Sequence, residues 1–552
     1  MVDAPTRRFY RHGRSRAAQP GDTALTALAR GGLPSTVRSN RYHRPRGPAC
    51  GVGFCTGCLV RVNGVLSVRA CRHPLENGDR IDDANGWPTA RFDLLAALDR
   101  LLPGGIDTLH GFRRPAFATP VYQWFIRHLA GYGPLPTATP VAPAPPVVLD
   151  RDVVIIGAGR SGHVAAARLV AAGVHPLLLD RRLSVEEVPG AEVRPRTTVT
   201  FLPPPDAGAS PSFRLLGFEE PSRGVTVSAR QVVVATGGYD ASLLFGQNDR
   251  PGVFTADGAL ALREAGPRPA FRRAVVFGGE DRARTVLDAV GDRVAAVVAP
   301  GEIRPEVVRA ASDRNIPLYP RSLLVRADGR ARVRAVELKP RGGGAPFTVA
   351  ADAVILAHRR LPHPQLFFQV GAKTAWRAGT GAYYPVVDGQ QQTTVPGLFA
   401  VGSAAGVLSS DSAESGERAA AAILGTPVAG PELARVDEGG LTDLEGYYRE
   451  LLHEPLGPRP ILCPCEDVLL REVQEAHERG YRGVEVIKRY TSLGTGLCQG
   501  RYCLPDALLL LSILEGRPPA DVGFITQRPP VVPTPLEALA SLKPAVPAEE
   551  AA

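Results

Sequence analysis

Short apolar runs rich in β-branched residues alternate with Ala-, Leu- and Arg-rich segments of helical spacing through the middle of the chain. The run Val153 to Ile156 leads into a Gly-rich turn and an Ala-rich helical pattern, and "FRRAVVFGGEDRARTVLDAVG" repeats that order further along. Strands that alternate with helical segments in this way are typical of βαβ units and parallel sheets. The pattern predicts an α/β core with two Rossmann-like parts.

Pro-rich stretches and changes of pattern divide the chain into segments. "PLPTATPVAPAPPVV" indicates a semi-rigid linker, and the sequence from Arg528 onward predicts a disordered tail. We predict, in order, a small strand-and-turn domain (1–90), a helical connector and linker (91–150), a first Rossmann-like part (151–240), a second Rossmann-like domain (241–384), the return of the first (385–430), a small helical domain (455–525) and the tail (528–552).

Composition narrows the class of protein before any motif does. The chain has 552 residues, eight cysteines, a net charge of +9 and 44% hydrophobic residues. The arginines are scattered without a basic stripe, which counts against nucleic-acid binding. The basic start leads into no apolar signal segment, and no apolar run is long enough to span a bilayer. We therefore expect a cytoplasmic location, where clustered cysteines more often bind metal or do redox chemistry than form disulfides.

Four cysteines lie near the start of the chain, in the sequence "GPACGVGFCTGCLVRVNGVLSVRAC". They follow C-x4-C-x2-C with a fourth cysteine beyond a strand, the plant-type spacing for a [2Fe–2S] cluster. Glycines in the loop let it bend, so that backbone amides can point at the sulfurs. A zinc site and a CxxC redox pair are the alternatives. The predicted ligands are Cys50, Cys55, Cys58 and Cys71.

The other four cysteines form C-x-C and C-x4-C pairs near the end, joined by a helical stretch. Four thiolates there suit a second cluster, with zinc as the alternative. Lys488, Arg489 and Arg501 stand close by in sequence and are candidates to offset cluster charge, or are solvated surface. The predicted ligands are Cys463, Cys465, Cys498 and Cys503.

The turn "GAGRSG" supplies Gly157, Gly159 and Gly162 between a strand and a helix. Such glycines permit a tight turn, close approach of a pyrophosphate and close helix packing, and the helix N-terminus offers amides and its dipole. Asp180 ends the next strand at the distance expected for an acceptor of ribose hydroxyls. This combination predicts a bound dinucleotide.

Two later segments are predicted to return to the same nucleotide. "QVVVATGG" runs from a strand into Ala235, Thr236 and Gly237, and "VPGLFAVGSAAGV" places Gly402 beside the cofactor. An acid usually follows that glycine in flavoproteins of this plan, but this chain has Ser403. The substitution weakens the assignment of FAD and leaves tightly bound NAD as the alternative.

The second strand-to-glycine turn, "FGGEDRA", has Glu280 where a third glycine would admit a pyrophosphate. A carboxylate there repels phosphate. We therefore predict that the second Rossmann-like domain does not use NADH as an exchangeable substrate. His163, His358 and His363 are scattered along the chain, and no catalytic residue is assigned.

The order of these motifs resembles the alpha-type subunits of heteromeric sarcosine oxidase, hydrogen cyanide synthase, dye-linked proline or hydroxyproline dehydrogenase and opine oxidase. "CPCEDV" with "KRYTSLGTGLCQGRYC" is similar to a bacterioferritin-associated-ferredoxin-like [2Fe–2S] domain, and the first cysteine region to a β-grasp ferredoxin-like domain. "VVVATGGYDASLLFGQNDRPGVF" resembles the family's ATG segment and Asn-Asp-x-Pro-Gly turn. The helix that normally follows the Asp180 strand is expected to be missing, because the segment after it is short.

The resemblance implies an FAD-containing oxidoreductase subunit with two [2Fe–2S] clusters, whose two-dinucleotide-domain flavoprotein core is flanked by the ferredoxin-like and small helical domains. A separate D-amino-acid-oxidase-like flavoprotein subunit would oxidise an amine or amino acid and pass on electrons. The alternatives are a non-catalytic scaffold or redox-sensing subunit with a degenerate nucleotide pocket, and a self-contained NAD(P)H-dependent oxidoreductase.

Overall fold

The computed structural model describes residues 7–32, 35–97, 120, 142–205, 213–263, 270–436, 443–457 and 459–542. The chain forms two compact units. Unit 1 comprises residues 1–138, 240–359 and 441–524, and unit 2 comprises residues 139–239, 360–440 and 525–552. Most of the predicted connector, residues 98–119 and 121–141, lies outside the described residues.

Strands and helices are numbered separately in chain order. The strands are β1 (Arg7–Arg11), β2 (Arg14–Ala18), β3 (Val37–Arg38), β4 (Pro45–Arg46), β5 (Leu59–Val62), β6 (Val65–Arg69), β7 (Arg80–Asp83), β8 (Val147–Ile156), β9 (Leu177–Leu179), β10 (Glu192–Arg194), β11 (Thr197–Phe201), β12 (Phe213–Glu219), β13 (Arg223–Val234), β14 (Gly238–Asp240), β15 (Val253–Thr255), β16 (Ala274–Phe277), β17 (Val294–Val298), β18 (Leu318–Tyr319), β19 (Ser322–Asp328), β20 (Ala335–Pro340), β21 (Phe347–Ala350), β22 (Ala353–Leu356), β23 (Arg360–Pro362), β24 (Thr374–Arg377), β25 (Ala382–Pro385), β26 (Leu398–Ala400), β27 (Ile461–Cys463) and β28 (Val468–Leu469). The helices are α1 (Ala24–Ala29), α2 (Arg160–Ala171), α3 (Ala256–Leu262), α4 (Asp281–Val290), α5 (Pro305–Ser312), α6 (Gln365–Val370), α7 (Ser412–Ile423), α8 (Leu444–Leu451), α9 (Leu470–Glu478), α10 (Val484–Thr491), α11 (Leu504–Glu515), α12 (Pro519–Val522) and α13 (Leu536–Ser541).

The N-terminal part of unit 1 is a five-stranded sheet in the order β2-β1-β7-β5-β6. Strand β1 is parallel to β7, and the other neighbouring pairs are antiparallel. Helix α1 begins in a capping box made by Thr23 and Thr26 and buries Leu25 and Leu28. A mixed sheet with one packed helix is the predicted ferredoxin-like domain, and its cysteine loop lies immediately before β5.

The middle of unit 1 is a parallel sheet in the order β15-β22-β16-β17-β18. Every residue of β16 and β22 is buried, as expected for strands covered on both faces. Helices α3 to α5 follow β15, β16 and β17 along the chain, and β19 to β21 form an antiparallel meander. This is the second predicted Rossmann-like domain.

The C-terminal part of unit 1 is small and mostly helical. The hairpin β27–β28 leads into α9, α10 and α11. Helix α11 is buried on every side from Leu504 to Ser512, and it begins at Cys503, its N-cap. The two cysteine pairs therefore lie at the hairpin and at the start of a central helix.

Unit 2 is built on a sheet in the order β10-β9-β8-β13-β12-β11, with β26 also pairing with β13. Strands β10, β9, β8, β13 and β26 run parallel to one another, whereas β12 and β11 form an antiparallel extension. Helices α2 and α7 pack against each other. Residues 180–191, all of them described, form no helix between β9 and β10, so the predicted loss of the helix after Asp180 is confirmed.

Three predicted boundaries need correction. Strand β8 begins at Val147, inside the predicted linker, because its first residues pair with β13. The second Rossmann-like domain ends near Arg359, not at residue 384, because residues 360–440 belong to unit 2. The prediction of a disordered tail is wrong for residues 528–542. Buried Val531 donates its amide to the Thr200 carbonyl at 3.0 Å, and Gly224 donates its amide to Ser541 Oγ at 3.1 Å.

Among the helices of the described segments, none combines the length and the apolar character needed to cross a bilayer.

Candidate metal and nucleotide sites

The N-terminal cysteine loop gathers its four thiols in a buried pocket. Cys50, Cys55, Cys58 and Cys71 are each no more than 8% exposed. The sulfurs of Cys58 and Cys71 are 3.5 Å apart. The backbone amides of Phe54 and Cys55 each donate to Cys50 Sγ at 3.2 Å, which is the predicted orientation of amides towards sulfur. Such hydrogen bonds help set the potential of a cluster.

The protonation state of these thiols separates metal binding from redox exchange. Burial raises the pKa of the Cys50 thiol to about 12, and the pKa of Cys58 also lies well above its usual value. A reactive CxxC pair needs a lowered pKa. Buried thiolates are instead stabilised when a metal supplies the compensating charge. The raised pKa values therefore count against an exchanging thiol pair in this set.

The C-terminal set forms two contacting pairs, Cys465 with Cys498 and Cys463 with Cys503. All four thiols are buried. A hydrogen bond from Cys465 lowers the pKa of Cys498 to about 6 against the effect of burial, and the charge of Arg501 adds to the lowering. The helix N-terminus at Cys503 also favours negative charge.

The thiols of the C-terminal set approach in two pairs, which is the arrangement that a two-iron cluster uses, whereas each thiol of the N-terminal set contacts two others. Within the described ranges, no three His, Cys, Asp or Glu side chains form a group suited to a single ion. A [2Fe–2S] cluster binds its four thiolates as two ligands on each iron. The paired contacts of the C-terminal set and the amide donors to Cys50 in the N-terminal set fit that group.

The cations predicted beside the second set have different environments. Arg501 is 5% exposed and its guanidinium lies 5.3 Å from the centre of the Phe54 ring. Lys488 and Arg489 both face Glu485, and the Arg489 side chain is 70% exposed. Arg501 is therefore placed to offset charge near the cysteines, whereas Arg489 is a surface residue.

A cleft within unit 1 borders the first cysteine loop. It encloses about 670 Å³ of space continuous with solvent. Cys55 and Thr56 line one side, Pro464 lies at another, and Thr255 comes from the carboxyl end of β15. Tyr502 also lines it, with its hydroxyl buried and without a hydrogen-bond partner. Sequence reasoning did not find this cleft, because its walls come from segments hundreds of residues apart.

The first Gly-rich turn has the close packing that its glycines predict. A Cβ atom at Gly157 would lie 2.2 Å from the Ala235 carbonyl oxygen, and one at Gly162 would lie 2.0 Å from the Gly157 carbonyl oxygen. A Cβ atom at Gly159 would meet nothing within 4 Å. The fold therefore needs Gly157 and Gly162, whereas Gly159 faces open space at the N-terminus of α2, where a pyrophosphate would bind.

Two later segments lie beside the same turn and the helix that follows it. Thr236 follows Ala235 and has a buried hydroxyl without a hydrogen-bond partner. A Cβ atom at Gly402 would lie 2.3 Å from Ser161 Oγ, in the first turn of α2. Ser403 lies in a short 3-10 helix that begins at Gly402. The unpartnered Thr236 hydroxyl and the open space at Gly159 fit a bound nucleotide.

Asp180 is less available to a ribose than the sequence predicts. Its carboxylate accepts hydrogen bonds from the Ala158 amide at 2.8 Å and from the amide and guanidinium of Arg182 at 2.7 to 3.0 Å. Burial alone would raise the pKa of Asp180, but these hydrogen bonds outweigh it and lower the pKa. Arg182 must move before Asp180 can accept a hydrogen bond from a ribose hydroxyl. If Arg182 stays in place, the ribose must bind to other groups.

The Gly-rich turn after β16 resembles the first turn in its backbone but has carboxylates where the first turn has open space. Gly278 has a φ of +152°, and a Cβ atom there would lie 2.3 Å from the Ala357 carbonyl oxygen. Glu280 is the N-cap of α4, and Arg304 lies 4.0 Å from its carboxylate and 3.9 Å from that of Asp281. Two carboxylates at the helix N-terminus stand where a phosphate would bind, which supports the prediction for this domain.

Comparison with known proteins matches three parts of the chain to families. Residues 6–86 match a 2Fe-2S iron-sulfur cluster binding domain, residues 206–424 match the pyridine nucleotide-disulphide oxidoreductases, and residues 458–542 match the sarcosine oxidase A3 domain.

Relatives of known name match most of the chain. The sarcosine oxidase alpha chain of Rhizobium meliloti (strain 1021) is 28% identical over 590 residues, covering 96% of this chain. This chain spans 57% of the length of that relative. An opine oxidase subunit of Agrobacterium tumefaciens (strain Ach5) is 26% identical, with 71% of this chain and 92% of the relative covered. The crystal structure of L-proline dehydrogenase from P. horikoshii has the same fold, with a TM-score of 0.67, 21% identity and 97% of each chain covered.

The fold and the matched domains define a class: an iron–sulfur protein with a Rossmann-like, FAD-type oxidoreductase core. Within that class, the chain is similar to the alpha-type subunits of sarcosine oxidase and opine oxidase and to hydrogen cyanide synthase subunit HcnB. The predicted family resemblance is thereby confirmed.

Proposed function

We propose that the chain is the iron–sulfur, FAD-binding subunit of a heteromeric dehydrogenase or oxidase that acts on the CH–NH bond of an amine or amino acid. The observation that carries this proposal is the presence of two complete, buried cysteine sets in a chain that also keeps an open Gly-rich turn. The relatives are named as subunits of sarcosine and opine oxidases, which supports both the substrate class and a heteromeric assembly.

In this proposal each cysteine set holds one [2Fe–2S] cluster, and unit 2 holds FAD. The clusters would supply one-electron transfer and the flavin would accept or release electrons in pairs. The protein's own contribution is placement. The amides of Phe54 and Cys55 orient the first set, and the N-terminus of α2 receives the pyrophosphate of the nucleotide.

Substrate oxidation is assigned to a D-amino-acid-oxidase-like flavoprotein partner. The family resemblance supports this division of labour, and no residue of this chain is assigned a catalytic role. The partner would bind the amine or amino acid, and this chain would take up the electrons.

The metal content tests this proposal directly. Protein purified without oxygen should contain about four iron atoms per chain and give two rhombic EPR signals on reduction. Cys58→Ala and Cys503→Ala form a matched pair, one in each set. Each should lose about half of the iron and one of the two signals while keeping the nucleotide. Zinc in place of iron, or loss of the same signal in both variants, would refute the assignment.

The electron source tests the division between subunits. An amino-acid substrate should reduce the clusters only when the flavoprotein partner is present. Reduction by NADH in the absence of the partner would instead support a self-contained oxidoreductase.

A second candidate is a scaffold or redox-sensing subunit with a degenerate nucleotide pocket. The engagement of Asp180 by Arg182 favours it, because the carboxylate that would hold a ribose is already bonded within the protein. The two candidates differ in nucleotide content. FAD or NAD released on denaturation supports the first, and its absence together with intact clusters supports the second.

A further inference from the structure

The loops that carry the two cysteine sets are in contact, although they come from opposite ends of the chain. Thr56 lies between two cysteines of the first set, and its hydroxyl donates a hydrogen bond over 3.8 Å to Cys465 Sγ, 409 positions further along. Oxygen-to-sulfur hydrogen bonds are longer than those between oxygen atoms, because sulfur is the larger atom. A ligand residue of the second set therefore receives a donor from the loop of the first.

Two further contacts fix the loops against each other. Arg69, two residues before Cys71, donates from Nη2 to the Leu497 carbonyl at 3.0 Å, next to Cys498. The guanidinium of Arg501 lies over the ring of Phe54, the residue before Cys55. The contact surface thus has three anchors, each within two residues of a cysteine.

Two buried arginines lie at this contact surface. Arg46 and Arg501 are 5% exposed. Arg46 forms ion pairs with Asp249 and Asp467, and Asp467 lies two residues from Cys465. Two thiolate-ligated clusters are anionic and repel each other at short range. The buried guanidinium of Arg501, which lies over the ring of Phe54, reduces that repulsion, whereas the charge of Arg46 is already balanced by its two carboxylates.

We propose that the two cysteine sets hold one coupled pair of clusters, and that the Thr56 hydroxyl is a positioning and tuning group for the Cys465 side of the pair. This inference rests on the proposed function, because it requires a cluster in each set. A hydrogen bond to a ligand sulfur stabilises the reduced, more negative state of a cluster and so raises its potential.

The first test uses Thr56→Val, which keeps the shape of the side chain and removes the hydroxyl. Thr56 is only half-buried, so this change does not threaten the fold. In the holoprotein, an EPR-monitored redox titration should show a lower midpoint potential for the C-terminal cluster and an unchanged one for the N-terminal cluster. Thr56→Ser should restore the wild-type potential. Equal potentials in Thr56→Val and wild type, with full iron content, would overturn the role of Thr56.

The second test measures coupling in the fully reduced holoprotein. Spin–spin interaction should split or broaden the two EPR signals and speed their relaxation. Cys503→Ala removes one cluster, and the N-terminal signal should then become narrow and relax more slowly. Two clusters that are both present and show no interaction would overturn the coupled pair alone. Iron missing from either set in the wild-type protein would overturn the proposed function as well.

Discussion

The two strand–turn–helix units of this chain differ at the point where a phosphate would bind. After β8, Gly159 leaves open space at the N-terminus of α2, whereas after β16 the carboxylates of Glu280 and Asp281 occupy the N-terminus of α4. Both turns nevertheless need glycine for packing, at Gly157 and Gly278. The fold therefore retains the backbone of the turn independently of its ligand chemistry.

The largest effect is expected at the packing glycines. Gly157→Ala would place Cβ 2.2 Å from the Ala235 carbonyl oxygen at a φ of +109°. We expect it to lower the free energy of unfolding by about 3 kcal/mol and to release the nucleotide. Denaturant titration and nucleotide analysis after gel filtration measure the two effects.

Gly278→Ala is the matched control, because its Cβ would lie 2.3 Å from the Ala357 carbonyl oxygen at a φ of +152°. It should destabilise to a similar degree and leave the nucleotide bound. Nucleotide loss in both variants would mean that the two turns do not differ in ligand binding.

Gly159→Ala separates binding from folding. The residue has a φ of −75° and nothing lies within 4 Å of the added Cβ atom, so stability should change by less than about 0.5 kcal/mol. If a pyrophosphate approaches this residue, the methyl group should weaken nucleotide binding about tenfold or more, or about 1.4 kcal/mol. Calorimetric titration of the nucleotide into apoprotein checks this, and unchanged affinity would place the ligand elsewhere.

Asp180→Asn tests the ion pair with Arg182 through pH. The pKa of Asp180 is lowered in the folded protein, so its carboxylate stabilises the fold above the unfolded pKa of about 3.9 and ceases to do so as pH falls through the folded value. The variant should lose about 1.5–3 kcal/mol at pH 7 and progressively less below about pH 4. A loss that is the same at pH 3 and pH 7 would show that charge is not the cause.

The smallest effect is expected at Glu280→Gln. Its carboxylate is partly exposed and lies 4.0 Å from Arg304, a pair that contributes under about 1 kcal/mol. We expect unchanged nucleotide content and stability within about 0.5 kcal/mol. Glu280→Gly extends the test. If that variant gains NADH binding, the Glu280 side chain is what prevents nucleotide binding in the second Rossmann-like domain.

Short sequence patterns predicted those features of the sites and of the fold that depend on residues close together in the chain. The spacing of Cys50, Cys55 and Cys58 predicted the first cluster site, and the glycines of the first turn predicted a nucleotide site, because each of these two patterns lies within a short segment. The missing helix after Asp180 was also predictable, since eleven residues separate that residue from Glu192.

Tertiary contacts were not predictable from one sequence. The hydrogen bond between Thr56 and Cys465 joins segments that are far apart in the sequence. The contact between Asp180 and Arg182 is local, but nothing in the sequence distinguishes Arg182 from the many other arginines of the chain. The Pro-rich composition after Arg528 predicts disorder, but the segment also contains a few apolar residues, such as Val531 and Ala538, that are buried in the fold.

Nucleotide stoichiometry is the decisive measurement for the difference between the two turns. Denaturation of purified holoprotein, with mass identification of what is released, should yield one FAD per chain from the wild type and from Glu280→Gln, and markedly less from Gly159→Ala. Two nucleotides per chain, or a full complement in Gly159→Ala, would contradict the distinction between the two turns.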